Sequence, residues 1–249
     1  MDGFVVYMTI FLFGIVIGSF LNVCIYRIPE GESIVVERSH CMNCNYKLKW
    51  YDLIPLLSFV ALRGKCRNCK SPVSLQYPIV EAANGILWCM VFALRGFTLS
   101  SICYCFMISA LIVISVIDWR TYEIPIGCNV FILVIGCVHL VLDIRNWQQY
   151  VIGFFAISGL LLLIFLATKG RGIGGGDIKL MAVCGLILGW KMIVLAFFVG
   201  CVLGAILHVI RMKVSEAGSV LAFGPYLSLG VVIAVFWGEK MLNWYLGFF

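Results

Sequence analysis

Apolar residues in this chain come in long runs, separated by short polar stretches. A helix rises about 1.5 Å per residue, so roughly 20 apolar residues cross a hydrocarbon core about 30 Å thick. Eight runs approach that length, at about 4–26, 78–96, 99–117, 124–142, 150–168, 178–190, 191–210 and 225–247. The sixth is short and Gly-rich, and fits a re-entrant or broken helix as well as a crossing one. It meets the seventh at Gly189-Trp190-Lys191, which reads as a tight turn at the outer interface. The pattern predicts an all-α polytopic membrane protein of about eight transmembrane helices. Only one polar stretch is long enough to be a small domain. The expected organisation is therefore a first transmembrane helix over 1–26, a loop domain over 27–77 and a transmembrane core over 78–249.

Composition agrees. Hydrophobic residues make up 63% of the 249 and charged residues 12%, whereas soluble domains run nearer a quarter charged. Mean hydropathy is +1.06. A soluble fold of this length would have no means of covering so much apolar surface. The first run opens with Asp2 instead of a basic segment, and no small-residue cleavage site follows it. It reads as a membrane helix and not as a cleavable signal.

The net charge of +6 does not form a basic helix face, which argues against a nucleic-acid partner. Eight of the 18 Lys+Arg lie between Arg27 and Lys70, and the others sit at the ends of apolar runs. With the N-terminus outside, all but Arg95, Arg145, Lys191 and Lys240 fall in inside loops. This is the asymmetry of a protein in a cytoplasmic membrane, with both termini outside and the 27–77 loop in the cytoplasm.

Eight of the 12 Cys lie in or beside apolar runs, where Cys packs as a small hydrophobe. The other four form two C-x-x-C pairs, Cys41/Cys44 and Cys66/Cys69, with 21 residues between them. Two such knuckles in one polar loop offer four thiolates to a tetrahedral zinc. Arg63, Lys65, Arg67 and Lys70 stand nearby and favour the thiolate form. A reducing cytoplasm disfavours disulfides, leaving zinc or free, redox-active thiols. A loop of this size has little core of its own, so a structural metal would supply folding energy.

Ionisable groups within apolar segments point to function. Asp118 ends the run SALIVISVID, and Asp177 follows Gly174-Gly175-Gly176, just before the sixth run. Both fall at cytoplasmic helix ends, so they can share one depth. Two carboxyls in contact cannot both ionise easily, and such a pair titrates as a unit. The ionised member takes a proton from water while the protonated one donates to a carbonyl, as aspartic proteolysis requires. The glycines before Asp177 permit positive φ and close approach of a substrate backbone. The plainer reading is that each Asp caps a helix or pairs with Arg120 or Lys179. Glu123 reads as a solvated loop acid. Glu81 is read in the first turn of the second span, either as a helix N-terminal acid or as a site residue. His139 and His208 read as packing or interface residues.

Taken together, these motifs resemble the bacterial type IV prepilin peptidases, a family of GxGD-type intramembrane aspartic proteases. The likeness runs from about 14 to 226. It begins with Gly18-Ser19-Phe20-Leu21-Asn22-Val23 and Tyr26-Arg27-Ile28-Pro29, then the two C-x-x-C pairs with Ile54-Pro55-Leu56-Leu57-Ser58 and Leu62-Arg63-Gly64. Tyr77-Pro78 with Glu81, Asp118 with Ile124-Pro125, Gly174–Asp177 with Lys179, and Phe223-Gly224-Pro225 follow. Met42 and Ile126 depart from the residues common in the family.

The resemblance implies an endopeptidase of the bacterial inner membrane. It would remove the basic leader of type IV prepilins or secretion pseudopilins at the cytoplasmic side, with Asp118 and Asp177 as the catalytic pair. Gly174, Gly176, Lys179, Gly224 and Pro225 would form the surrounding active-site loops. It further implies N-methylation of the new N-terminus by S-adenosylmethionine, a reaction linked to the cysteine-loop domain, with Gly18, Glu81 and Gly85 as candidate residues. Partners are then the prepilin substrate and the lipid bilayer.

Three rivals remain. A presenilin-like protease would carry Tyr before the first Asp, where this chain has Ile117. A non-enzymatic assembly scaffold with a zinc-ribbon docking loop explains the cysteines but not the aspartates. A proton-coupled transporter would place its acids near the bilayer midplane in a repeated architecture.

Overall fold

The computed structural model describes residues 2–170, 172–214 and 221–247. Arg171 lies outside these, as do the side chains of His208, Arg211 and Lys213. The chain divides into two compact units, Met1–Ala93 and Leu94–Phe249. The second predicted span thus groups mostly with the first span and the loop.

The first unit holds α1 (Asp2–Glu30), the loop with its short α2 (Leu57–Ala61), and most of α3 (Gln76–Arg95). Helix α1 meets α3 at unusually close range. A Cβ at Gly14 would lie 2.7 Å from the Gly85 Cα, and one at Gly18 would lie 2.7 Å from the Glu81 Cα. Small residues at such crossings let helix backbones approach in lipid, where association relies on packing and hydrogen bonds. Polar side chains reinforce the crossing. Asn84 donates to the Gly14 carbonyl at 2.7 Å, and Asn22 donates to the Tyr77 carbonyl at 3.2 Å.

The second unit holds α4 (Leu99–Thr121), α5 (Ile126–Leu142), α6 (Trp147–Ala167), α7 (Gly175–Leu188), α8 (Trp190–Val214) and α9 (Gly224–Leu246). Local chemistry sets the ends. The Thr98 hydroxyl accepts from the Ser101 N–H to cap α4, and Pro125, with φ −61°, stands at the N-cap of α5. Gly189, at φ +75°, closes α7 and lets α8 begin at the next residue. The predicted tight turn at 189–191 is therefore a single left-handed glycine.

Among the described residues, six helices are long and apolar enough to cross a membrane. The other two predicted spans form shorter helices, of 17 residues in α5 and 14 in α7. The count of eight apolar helices stands, while six meet the length of a span. Helix α7 is not broken. It is continuous, packs against α5, α6, α8 and α9, and buries Leu180, Met181, Cys184 and Ile187 completely. A helix apolar on every side belongs inside protein. The outer faces carry exposed Phe155, Leu163 and Phe198, as lipid-facing surfaces do.

Candidate functional site

Asp118 lies in the last turn of α4 and is 4% exposed. Tyr122 closes that helix in the left-handed region, its N–H donating to the Asp118 carbonyl at 2.9 Å. Asp177 lies in the first turn of α7 and is half-buried. The two carboxyls are near enough to interact electrostatically, although they come from helices 59 residues apart in sequence. The ion pairs found among the described residues, Arg67–Asp52 and Arg95–Glu239, involve neither aspartate.

Gly224, at the start of α9, closes against Asp118. Its N–H donates to Asp118 Oδ2 at 2.9 Å, and a Cβ here would stand 2.8 Å from the same oxygen. Only glycine leaves that space to the carboxyl. Pro225, in the first turn of α9, lacks an N–H where a helix leaves it unused.

One part of the expectation for the glycines before Asp177, positive φ, is not met. Gly174 has φ −74° and neither Gly175 nor Gly176 has positive φ, so left-handed backbone is not their role. They provide room instead. A Cβ at Gly174 would stand 3.2 Å from Asp177 Oδ2, and one at Gly176 would press to 3.0 Å on Ile124. Gly175 faces open space. Lys179 is exposed, two residues along the helix and so on another face. The structure gives it no contact with the aspartates. Glu123 is exposed, and His139 packs edge-on against Tyr150 at the far end of the bundle.

In the first unit, the four sulfurs of Cys41, Cys44, Cys66 and Cys69 lie within 4.8 Å of one another. The Cys41–Cys69 and Cys44–Cys66 separations are 3.9 and 4.0 Å. Tetrahedral zinc with Zn–S near 2.3 Å needs about 3.8 Å, whereas a disulfide needs about 2.05 Å. The donor set therefore fits a metal. The two knuckles are near copies, 25 residues apart. Cys41 N–H bonds the Tyr46 carbonyl as Cys66 N–H bonds that of Ser71. Asn45 and Lys70 take matching positive φ of 54° and 62°. Asn43 donates to Cys69 Sγ at 3.6 Å, and Asn68 donates to Cys44 Sγ at 3.7 Å. Such cross-bonds orient ligands and temper their charge. The Ser71 hydroxyl and N–H pull the Cys69 thiol down to about 5, and the N–H groups of Asn43 and Cys44 lower that of Cys41. Arg67 pairs with Asp52 at 2.7 Å. The shared Asn of C-x-N-C was the sequence signal for this pairing, and spacing alone did not use it.

Glu81 lies in the second turn of α3, not the first, and is buried. Its Oε2 accepts from the Leu56 N–H at 2.8 Å. Leu56 has φ +61° and ψ −49°, and the Leu57 N–H reaches back to the Pro55 carbonyl at 2.6 Å. This is a γ-turn of the strained, positive-φ kind, which persists only where its surroundings hold it. Glu81 is the group that holds it. Gly18 and Gly85 face filled space, since a Cβ at Gly85 would meet Phe11 and Ile15 at 2.8 Å. Both glycines lie where α1 and α3 pack closest.

The fold and these two sites define a multi-pass, all-helical membrane protein with a paired-aspartate bundle and a four-cysteine loop able to hold a metal. Comparison with known proteins carries this further. Residues 12–94 match the Bacterial Peptidase A24 N-terminal domain and residues 105–209 match the Type IV leader peptidase family. The chain belongs to the type IV leader peptidase family. It is 33% identical to a prepilin leader peptidase/N-methyltransferase of Bacillus subtilis (strain 168), over 95% of this chain and 96% of that protein. Proteins of the same name from Stutzerimonas stutzeri and Legionella pneumophila are each 30% identical, over 94% and 97% of this chain and 92% and 95% of theirs. No solved structure matches.

Proposed function

We propose that this chain is an aspartic endopeptidase of the bacterial inner membrane. It removes the leader peptide of type IV prepilins or pseudopilins and N-methylates the residue it exposes. The observation that carries the first activity is the pairing of Asp118 with Asp177 at one end of the second unit, under the Gly224 N–H. One carboxyl, ionised, takes a proton from the attacking water. The other, protonated, donates to the scissile carbonyl. Gly224 fixes the orientation of Asp118, and the absence of a side chain at Gly174 leaves room beside the Asp177 carboxyl. The glycines at 174–176 leave space for an extended main chain. The basic leader stays in the cytoplasm while the apolar helix of the substrate remains in lipid.

Zinc is the metal assigned to Cys41, Cys44, Cys66 and Cys69, with a structural role: it would fasten a loop with little core of its own. S-adenosylmethionine would supply the methyl group. Of the three candidate residues for that reaction, Glu81 keeps a polar role, while Gly18 and Gly85 serve the α1–α3 crossing. The loop domain over 27–77 and the core over 78–249 remain the proposed division of labour.

The test is mass spectrometry of a prepilin incubated with the purified protein, with and without S-adenosylmethionine. Loss of the leader, plus one methyl only when the cofactor is present, supports both activities. Cleavage alone confines the function to the peptidase. Failure on several prepilins returns the non-enzymatic scaffold.

A further inference from the structure

Among the described residues, four buried side-chain N/O atoms have no hydrogen-bond partner: both polar atoms of Asn129, Ser228 Oγ and His139 Nδ1. Buried polar groups are nearly always paired, so each exception asks what completes it. His139 lies in the last turn of α5, at the end remote from the aspartates. The other three atoms lie near them.

Their position follows from helix register. Helices α5 and α7 run side by side in the same direction. Ile124 is against Gly176 at one end, and Gly136 is against Leu186 and Ile187 further along. Asn129 therefore stands level with about residue 180, one turn inside Asp177. Ser228 follows Gly224 by one turn of α9 and shares its face, and Gly224 is the residue bonded to Asp118. Helices α5 and α9 each pack against both α4 and α7. The aspartates thus come from α4 and α7, and the two unpartnered side chains come from the helices between, one turn deeper. Asn129 is 4% exposed and Ser228 3%, so bulk water does not satisfy them.

We propose that Asn129 and Ser228 bind the substrate main chain just beyond the scissile bond. This rests on the protease reading above. A substrate whose apolar segment is helical must uncoil to present a peptide bond, and every uncoiled residue frees one N–H and one C=O. Away from water those groups need partners. A carboxamide supplies a donor and an acceptor together, matching a peptide unit, and the Ser228 hydroxyl adds either. Their depth places them on the side of the cleavage site that continues into the membrane. They would hold the first residues of the mature chain extended while the dyad acts.

The experiment compares wild type, Asn129→Leu and Ser228→Ala on a prepilin and on synthetic versions carrying one ester in place of each of the first three amides after the cleavage site. Either substitution should lower kcat/KM about tenfold. The melting temperature should stay unchanged or rise, because an unpaired polar group is being replaced by an apolar one. One ester should cost wild type a similar factor and cost Asn129→Leu little, since both remove the same bond. Near wild-type cleavage by both variants would overturn the proposal. So would a loss of melting temperature in both, which marks a structural role, or ester and mutant losses that multiply, which mark a resident water. Ser228→Ala carries the test if the leucine variant does not fold. No cleavage of any prepilin by wild type sinks the protease reading itself, an outcome distinct from the others.

Discussion

The cysteine loop and the aspartate bundle solve the same problem, gathering reactive side chains into one place, by different means. The loop does it twice with one local device. Each knuckle closes through its own backbone bonds, Asn45 to Cys41 and Lys70 to Cys66, and then lends an Asn to the other's sulfur. The bundle has no such local device. Asp118, Asp177 and Gly224 come from three helices, and their meeting depends on how α4, α5, α7 and α9 pack. A site built from local turns is repeated and separable. A site built from packing is single and fails wherever the packing fails.

The largest expected effect that separates the two is at the dyad. Asp118→Asn or Asp177→Asn should lower cleavage by about 10²–10⁴-fold or more, with the melting transition and bound metal unchanged. Cleavage assays alongside calorimetry and metal analysis check this. Next is metal removal. Cys41→Ser or Cys69→Ser should take bound zinc from one per chain to near none, and should expose the loop to limited proteolysis while the second unit stays resistant. Proteolysis of both units together would show that the loop is not separable.

A sharper probe of the bundle is Gly224→Ala. The added Cβ displaces Asp118 Oδ2 from 2.8 Å, and such misplacement should cost cleavage roughly 10–100-fold with the fold intact. The smallest effect tests the symmetry of the loop. Asn43→Ala and Asn68→Ala should each weaken zinc by about 10–100-fold, and by nearly the same factor. Competition with a chromogenic chelator measures both, and a large inequality would break the equivalence of the knuckles.

This contrast also explains what the sequence disclosed. The eight apolar segments, the C-x-x-C pairs and the two aspartates are local patterns, and each was legible. The character of α7 was not. Shortness and glycines suggested a broken segment, but a helix encased by four others has no bilayer thickness to match. The roles of Gly18 and Gly85 were hidden because close helix approach depends on the partner's backbone, which periodicity does not reveal. Asn22 and Asn84 stood in plain view as polar residues within apolar runs, and only the structure gives them the α1–α3 crossing as their purpose. Lys179, placed beside the pair by the family resemblance, is exposed and two residues along α7 from Asp177.

The most direct measurement is the mass of a prepilin after incubation with purified wild type, Asp118→Asn and Asp177→Asn in parallel. Wild type should yield a product shortened by the leader and both variants intact precursor, with all three proteins folded. Cleavage by either variant at near wild-type rate would contradict this, since the proton transfers assigned to the pair would then belong to other residues.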